Sequence, residues 1–387
     1  MRMSYLGKRE VNITMKVGFI GGGLDSAIGS AHFAAINIDR KYSLDAGMFS
    51  IDESINFSSG EFYGVDKNRV YANISDFLSA EQNNLDAVLV LSPTPLHFEH
   101  INHIFDAGIP VISEKALCTN GKDAEVLARR ATSENKFLSV TFTYTGYPMV
   151  REIKRMISDG ILGDVLSVHV EMPQESFIRS STSGTKPQPQ AWRQLDYEIP
   201  SVTLDLGSHV INLLEFITGN QVARVSGIAS HAGDVSALVD NVLAIGELHN
   251  GTPISLNWNK VSLGKRNGLA CTIYGSNGSI SWEQENPEYL RYGAKDGAIQ
   301  IIDRSHAMVK VAAERRYQRF KVGHPAGYIE AFANLYHDIA EDLTSFKAGR
   351  KFDNPYTHSA ADSADGLRVL EALHESAAKK EWIEIRR

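Results

Sequence analysis

The feature that most restricts the fold is a short apolar run that ends in glycines. Lys16-Val17-Gly18-Phe19-Ile20 leads directly into Gly21-Gly22-Gly23-Leu24-Asp25-Ser26-Ala27-Ile28-Gly29. A strand stopping on glycine turns tightly and lets backbone N–H groups approach a ligand, and a helix starting there aims its positive end the same way. The strand-like pattern then recurs at residues 44–49, Ala87–Leu91, 110–113 and 137–142, with helical patterns at 97–107 and 124–133. Ala87-Val88-Leu89-Val90-Leu91 is apolar throughout, as a strand covered on both sheet faces requires. It stops at Ser92-Pro93-Thr94-Pro95, where proline removes backbone donors. Such alternation predicts a doubly wound parallel sheet.

Beyond residue 143 the texture changes. A helix is expected at 149–157 and a longer strand at 165–172, then a helix at 205–218. Strands follow in close succession at 222–228, 243–248, 254–258 and 270–274. The turns Asn250-Gly251 and Asn277-Gly278 favour antiparallel pairing among them. Helices near Tyr328–Lys347 and 359–379 close the chain. The prediction is an α/β protein: an extension at 1–15, a dinucleotide-binding (Rossmann) domain at 16–143, and an α+β domain for substrate binding and oligomerisation at 144–387. Whether the last helices also pack back on the first domain is left open. The stretch 180–190, rich in Ser, Gly and Pro, reads as a loop.

Length and composition agree with this division. At 387 residues the chain exceeds one compact core, and 43% hydrophobic with 22% charged residues is globular composition. The formal charge of −7 argues against a nucleic-acid partner. Cys118 and Cys271 are too few for a disulfide framework and read as a reduced pair. No stretch has the length of a membrane span or a signal-peptide core, so a soluble cytoplasmic protein is expected.

The glycine turn does not satisfy a strict G-x-G-x-x-G pattern, because Ser26 stands at the third glycine position. Gly29 takes that place only if the turn carries three extra residues. The second strand ends in Phe49-Ser50-Ile51-Asp52-Glu53, with Ser50 at the tip and Asp52 two residues later. An acidic tip without an adjacent Arg or Lys favours NAD over NADP. His97, His100 and His103 recur on one expected helix, but they read as surface histidines and no metal site is predicted. Neither a G-x-x-x-x-G-K-[ST] loop nor a G-x-S-x-G turn occurs.

The order of several motifs carries a resemblance. Gly29 stands three residues before His32; Ser92-Pro93-Thr94-Pro95-Leu96-His97 and Glu114-Lys115 follow, then Trp192-Arg193 and Asp205-Leu206-Gly207-Ser208-His209. From Lys16 to Ile385 the chain resembles the Gfo/Idh/MocA family, named after glucose-fructose oxidoreductase and inositol dehydrogenase. The resemblance implies a Rossmann domain joined to a domain on a large, mostly antiparallel sheet. It implies oxidation of a sugar or cyclitol hydroxyl, or the reverse, with NAD or alternatively NADP. The glycine turn and Tyr144-Thr145-Gly146-Tyr147-Pro148-Met149-Val150-Arg151 look like a subgroup that includes levoglucosan dehydrogenase-like proteins.

Carried over residue by residue, the resemblance implies cofactor contacts from Gly21, Gly23, Gly29, Ser50, Asp52, Ser92, Thr94, His97, Glu114, Trp192 and Arg193. Lys115, Asp205 and His209 become the catalytic residues, and with Tyr144 and Tyr147 they meet the substrate. Lys115 would polarise the reacting oxygen or relay its proton. His209 suits proton acceptance, and Asp205, four residues away on one helical face, would orient it or the substrate. Tyr144, Tyr147 and Trp192 read equally as pocket wall or core, and Arg193 equally as an anion contact or an internal ion pair. Two departures stand out: Ala116 replaces the proline of Glu-Lys-Pro, and Glu198-Ile199-Pro200-Ser201-Val202-Thr203 replaces a run of small residues. Relatives that are NAD-dependent glycosidases or nucleotide-sensing corepressors define the alternative functions. Keeping Lys115, Asp205 and His209 together argues against a sensor. A homodimer or homotetramer through the broad sheet is expected.

Overall fold

The computed structural model describes residues 14–180, 184, 188–235 and 238–386. Of the expected extension and the 180–190 loop, residues 1–13, 181–183 and 185–187 lie outside this set. The first third builds a five-stranded parallel sheet from β1 (Met15–Gly21), β2 (Tyr42–Met48), β3 (Ala87–Leu91), β4 (Val111–Glu114) and β5 (Leu138–Thr141), in the order β2-β1-β3-β4-β5. The connections are α1 (Gly29–Ile38), α2 (Glu53–Tyr63), α3 (Ile74–Glu81), α4 (His97–Asp106) and α5 (Gly121–Ser133). Strand order reverses direction at β1, which opens a crevice at the carboxyl ends of β1 and β3. The predicted Rossmann sheet is present.

At that crevice the turn after β1 runs three residues longer than the strict pattern allows. Gly29 is the first residue of α1, and a Cβ there would lie 2.0 Å from the Gly22 carbonyl oxygen. Gly29 therefore fills the close-packing role of the third glycine. Gly21 and Gly22 adopt φ of +84° and +75°, and a Cβ on Gly21 would meet the Ser92 backbone nitrogen at 2.5 Å. Ser26 Oγ accepts from the N–H groups of Ile28 and Gly29, each at 3.3 Å, and so closes the turn.

The remaining strands form a nine-stranded mixed sheet: β6 (Val165–Pro173), β7 (Val222–Ser230), β8 (Asn241–Leu248), β9 (Pro253–Asn259), β10 (Ala270–Gly275), β11 (Gly278–Glu283), β12 (Leu290–Ala294), β13 (Ile299–Ile302) and β14 (Ile383–Glu384). Their order is β13-β12-β11-β10-β6-β9-β8-β7-β14, and β6 with β9 is the parallel pair in an otherwise antiparallel set. Gly251, at φ +84°, turns the β8–β9 hairpin as expected, and Asn277 lies in the β10–β11 turn. One face is covered by α7 (Ser208–Thr218), which α6 (Pro148–Ser158) backs, and by α9 (Ala360–Lys379). The other face is open and presents Ile228, Leu243, Ile245 and Tyr274.

The long helix α8 (Tyr328–Lys347) returns to the first sheet. Its Phe332, Leu335, Tyr336, Ile339 and Leu343 are buried in one cluster with Val17, Phe19, Leu89 and Ile112. The last helices thus reach the first domain: α8 covers a face of its sheet, and α9 packs along α5. Cys118 and Cys271 are separately buried free thiols. Among the described residues no helix is long and apolar enough to cross a membrane.

The backbone contact at Gly29 gives a direct test. Gly29→Ala forces a methyl against a carbonyl that cannot rotate away, and overpacking of this kind costs about 1–3 kcal/mol. Urea unfolding is expected to show that loss, together with weakened dinucleotide binding in a fluorescence titration.

Candidate active site

A cavity of about 210 Å³ opens at the carboxyl ends of β3 and β4, where the first sheet meets the second domain. The loop after β3 contributes Ser92, Thr94 and His97, and the end of β4 contributes Glu114 and Lys115. From the second domain come Tyr144, Gln174, Trp192, Arg193, Asp205, His209 and Tyr328. The turn into α1 adds Ala27 and Ile28. Expected cofactor and catalytic residues from segments over 100 residues apart are thus brought into one wall.

Asp205 is the ionic centre of that wall. Its Oδ1 lies 3.1 Å from Lys115 Nζ and 2.8 Å from an Arg193 guanidinium nitrogen, and its Oδ2 lies 2.7 Å from Lys260 Nζ. Lys115 Nζ also donates to the Asp205 carbonyl oxygen at 2.7 Å. Burial alone would raise the Asp205 carboxyl, but Arg193, Lys260 and Lys115 outweigh it and hold the group well below the usual carboxylate range. Burial pushes the Lys260 ammonium down, with Asp205 opposing.

The backbone here differs from the expected α-helix. Residues 201–218 form one helix, but Thr203–Gly207 is wound as a single π turn, with Ser208 N–H donating to the Thr203 carbonyl. Asp205 sits in that turn and His209 in the regular helix beyond it. Gly207 lets the turn settle on Trp258, since a Cβ there would touch the indole ring at 3.0 Å. Trp258 Nε1 donates to Thr203 Oγ1 at 3.2 Å. His209 is buried, its ring 4.5 Å from that of Tyr144 in an edge contact, and neither ring nitrogen has a hydrogen-bond partner among the described residues. Burial, and then the Lys115 charge, push its pKa well below the ordinary value, so the imidazole is neutral at pH 7.

Glu114 is tied into the cofactor side. His32 Nε2 lies 3.2 Å from its Oε1, Thr141 Oγ1 donates to the same oxygen at 2.6 Å, and His32 Nδ1 meets the Tyr336 hydroxyl at 2.5 Å. Burial alone would raise Glu114, but the hydrogen bond and charge of His32 keep it below the ordinary range. The Lys115–Ala116 peptide bond is cis. His97 bridges the Ser92 and Ala116 carbonyls at 2.8 and 2.9 Å, and His100 faces Ser92 Oγ at 3.0 Å. Contrary to the surface reading, His97 and His100 are buried, and burial lowers the pKa of His97, so its neutral ring donates to one of the two carbonyls. Among the described residues no group of three or more His, Cys, Asp or Glu side chains is placed to hold a metal ion.

Other expected residues fall differently. Asp52 caps α2, its Oδ1 accepting from Ile55 N–H at 3.0 Å, and Ser50 Oγ accepts from Asp52 N–H at 3.2 Å. Asn56 Oδ1 fixes the same tip by accepting from Phe49 N–H at 2.7 Å. Trp192 stacks beneath Arg193, whose guanidinium carbon is 4.5 Å from the ring centre. Tyr144 lines the cavity, its hydroxyl accepting from Asn267 Nδ2 at 2.9 Å. Tyr147 does not line it: the ring packs on Trp282 and the hydroxyl accepts from Gln284 Nε2 at 3.1 Å. Sequence reasoning missed Lys260, Gln174 and Asn267. A signal for Lys260 exists, because Ile254, Leu256 and Trp258 alternate into the core and position 260 continues that face with a charge.

The turn at Gly21, Gly22 and Gly29 is packed so closely on Leu91, Ser92 and itself that no Cβ fits, and with the start of α1 it fits a dinucleotide pyrophosphate. A parallel sheet carrying that turn, beside a second, mostly antiparallel sheet that completes the cavity wall, has the architecture of a dinucleotide-dependent oxidoreductase. The chain belongs to the Gfo/Idh/MocA family: the model for the oxidoreductase family, NAD-binding Rossmann fold, matches residues 15–142, and that for the GFO/IDH/MocA C-terminal domain matches 150–281. It is 25% identical to an uncharacterized oxidoreductase, YfiI, of Bacillus subtilis, over 98% of this chain and 99% of that protein. It is 25% identical to levoglucosan dehydrogenase of Pseudarthrobacter phenanthrenivorans, over 96% and 98%. An inositol dehydrogenase homologue from Azotobacter vinelandii, solved with NADH and myo-inositol, superposes with a TM-score of 0.86 at 25% identity over 96% and 97% of the two chains. The first domain is an NAD-binding Rossmann fold.

The buried neutral His209 has a measurable consequence. Its folded pKa lies below the unfolded value of about 6.5, so below that pH the unfolded chain binds a proton that the folded chain refuses. Wild-type stability is therefore expected to fall from pH 7 to pH 5 relative to His209→Gln, by up to about 1.4 kcal/mol per pH unit. Parallel urea titrations of the two proteins check this, because every other buried histidine is common to both.

Proposed function

We propose that the protein is an NAD-dependent dehydrogenase that moves a hydride between nicotinamide and a secondary hydroxyl or ketone of a sugar, anhydrosugar or cyclitol. The observation that carries this reading is the meeting of Lys115, Asp205 and His209 in one cavity beside the glycine turn. Relatives named as levoglucosan dehydrogenase and as an inositol dehydrogenase homologue with bound NADH and myo-inositol support the substrate class. Bound NAD would supply the hydride acceptor. The chain's own part is acid–base work and orientation. Neutral His209 offers a lone pair to the hydroxyl proton, and the Lys115 ammonium, held by Asp205, donates towards the same oxygen. Asp205 keeps the ammonium in place through both its side chain and its carbonyl.

The test is a screen of sugars, polyols and anhydrosugars with NAD and NADP, following reduced nicotinamide. Turnover with NAD, and tighter NAD than NADP binding, is expected from the acidic Ser50–Asp52 tip. Lys115→Met and His209→Ala are expected to lower single-turnover hydride transfer by about 10²–10⁴-fold with cofactor saturated. Near-normal rates for both would sink the mechanism.

The open face of the nine-stranded sheet supports a homodimer or homotetramer. Ile228 is 67% exposed and Ile245 53%, on adjacent strands of one face. Sedimentation is expected to show an oligomer that the double variant Ile228→Asp, Ile245→Asp dissociates; a monomeric wild type would reject this surface.

A further inference from the structure

The wall of the cavity is built on a residue that does not itself line it. Lys260 follows β9, where Ile254, Leu256 and Trp258 alternate towards the helices, and it continues that face by one more step. Two residues apart, Trp258 and Lys260 support the π turn from beneath. Trp258 touches Gly207 and donates to Thr203, and Lys260 donates to Asp205 Oδ2 at 2.7 Å. Lys260 is 9% exposed. Its backbone is fixed on both sides: its N–H donates to the Asp240 carbonyl at 3.0 Å, and its carbonyl accepts from Phe177 N–H at 2.9 Å. The ammonium lies 5.2 Å from the Phe177 ring centre. No acceptor other than Asp205 is recorded for it among the described residues.

From this geometry we infer that Lys260 is a positioning residue of the reaction, which fixes the Asp205 carboxylate from behind so that Asp205 can hold the Lys115 ammonium at the substrate. The inference rests on the dehydrogenase reading for its effect on turnover, but not for its effect on Asp205. The carboxylate has two oxygens and three cations. Oδ1 is shared by Lys115 and Arg193 on the cavity side, and among the described residues Oδ2 is held by Lys260. Without Lys260 a half-buried carboxylate oxygen loses this partner, and the carboxylate is free to rotate towards Arg193 and away from Lys115. A displacement of about 1 Å in a group that orients the reacting atoms costs as much as 10²-fold in rate. The groups facing Asp205 are Lys115, Arg193, Lys260 and His209, with the phenols of Tyr144 and Tyr328 further out. Those facing Lys260 are Asp205, Arg193 and Lys115.

The test compares Lys260→Met and Lys260→Arg with wild type in two arms. In the first, without substrate, the enzyme is labelled with carboxyl-13C aspartate, and the Asp205 signal is assigned by its loss in Asp205→Asn. The signal is expected to stay ionised to pH 4 in wild type and Lys260→Arg, and to titrate at higher pH in Lys260→Met, because removing a cation raises a carboxyl pKa. In the second, with NAD and whichever sugar or polyol the screen returns, Lys260→Met is expected to lower kcat by about 10–100-fold. NAD affinity stays within about two-fold, and Lys260→Arg restores most of the rate. An Asp205 signal that titrates as in wild type, with kcat within two-fold, would overturn the inference even if the melting temperature fell. Should no sugar or polyol turn over, the dehydrogenase reading fails, and the carboxyl titration alone decides whether Lys260 governs Asp205.

Discussion

A parallel sheet has no solvent-tolerant face, and in this protein one of its two covers comes from the far end of the chain. Helix α8 lies against β1 and β3, with the Phe332 ring centre 4.4 Å from that of His32 in a tilted contact and Tyr336 bonded to its Nδ1. His32 in turn bonds Glu114, the residue that precedes Lys115. The approach is close enough that a Cβ on Gly146 would lie 1.9 Å from the Ala331 carbonyl oxygen, and Asn334 Nδ2 donates to the Gly146 carbonyl at 2.9 Å. On its other side Asp338 accepts from Arg151 at 2.6 Å, both side chains fully buried, which locks α8 to α6. Breaking such a pair on one side costs about 3–5 kcal/mol, because the remaining charge is left buried. The cavity is therefore walled by a seam whose two sides cannot shift independently.

Across that seam the chemistry is divided by environment. His209 and Lys115 face the same space, yet burial keeps the imidazole neutral, and two contacts with Asp205 hold the ammonium. The neutral imidazole and the Lys115 side chain are thereby held in different surroundings within one cavity. Asp205 stays ionised in a buried place only because cations surround it, so the carboxylate and its partners stand or fall as a unit.

The sheets and the site were legible in the sequence to different depths. β3 was readable to the residue because an all-apolar five-residue run has no other use in a doubly wound fold. The helices α2 and α3 were not, since Ser58, Ser59 and Gly60 are weak helix formers and the signals are the caps Asp52 and Asn73. β11 was hidden because it begins on Gly278, which reads as a turn residue. Lys115, Asp205 and His209 were singled out through motif order, a property of the chain, and they line one cavity. Lys260 was not, because a lysine just past a strand normally ends in solvent; the Ile254–Leu256–Trp258 alternation marks its face, but the fold is needed to show that this face runs on beneath Asp205. Tyr147 was grouped with Tyr144 by proximity in sequence, but a proline-started helix turns it towards Trp282.

The π turn at Thr203–Gly207 has a consequence for how this chain tolerates change in length. Such a turn is an α-helix carrying one residue more than its hydrogen bonds need. Deleting a residue there would give a more regular helix and would look harmless by any measure of backbone order. It would also swing everything before the deletion by about 100° around the helix axis relative to His209. Asp205 would leave Lys115 and Lys260, while the apolar anchors of α7 kept their places. The extra residue is thus a phase setting between two halves of one helix.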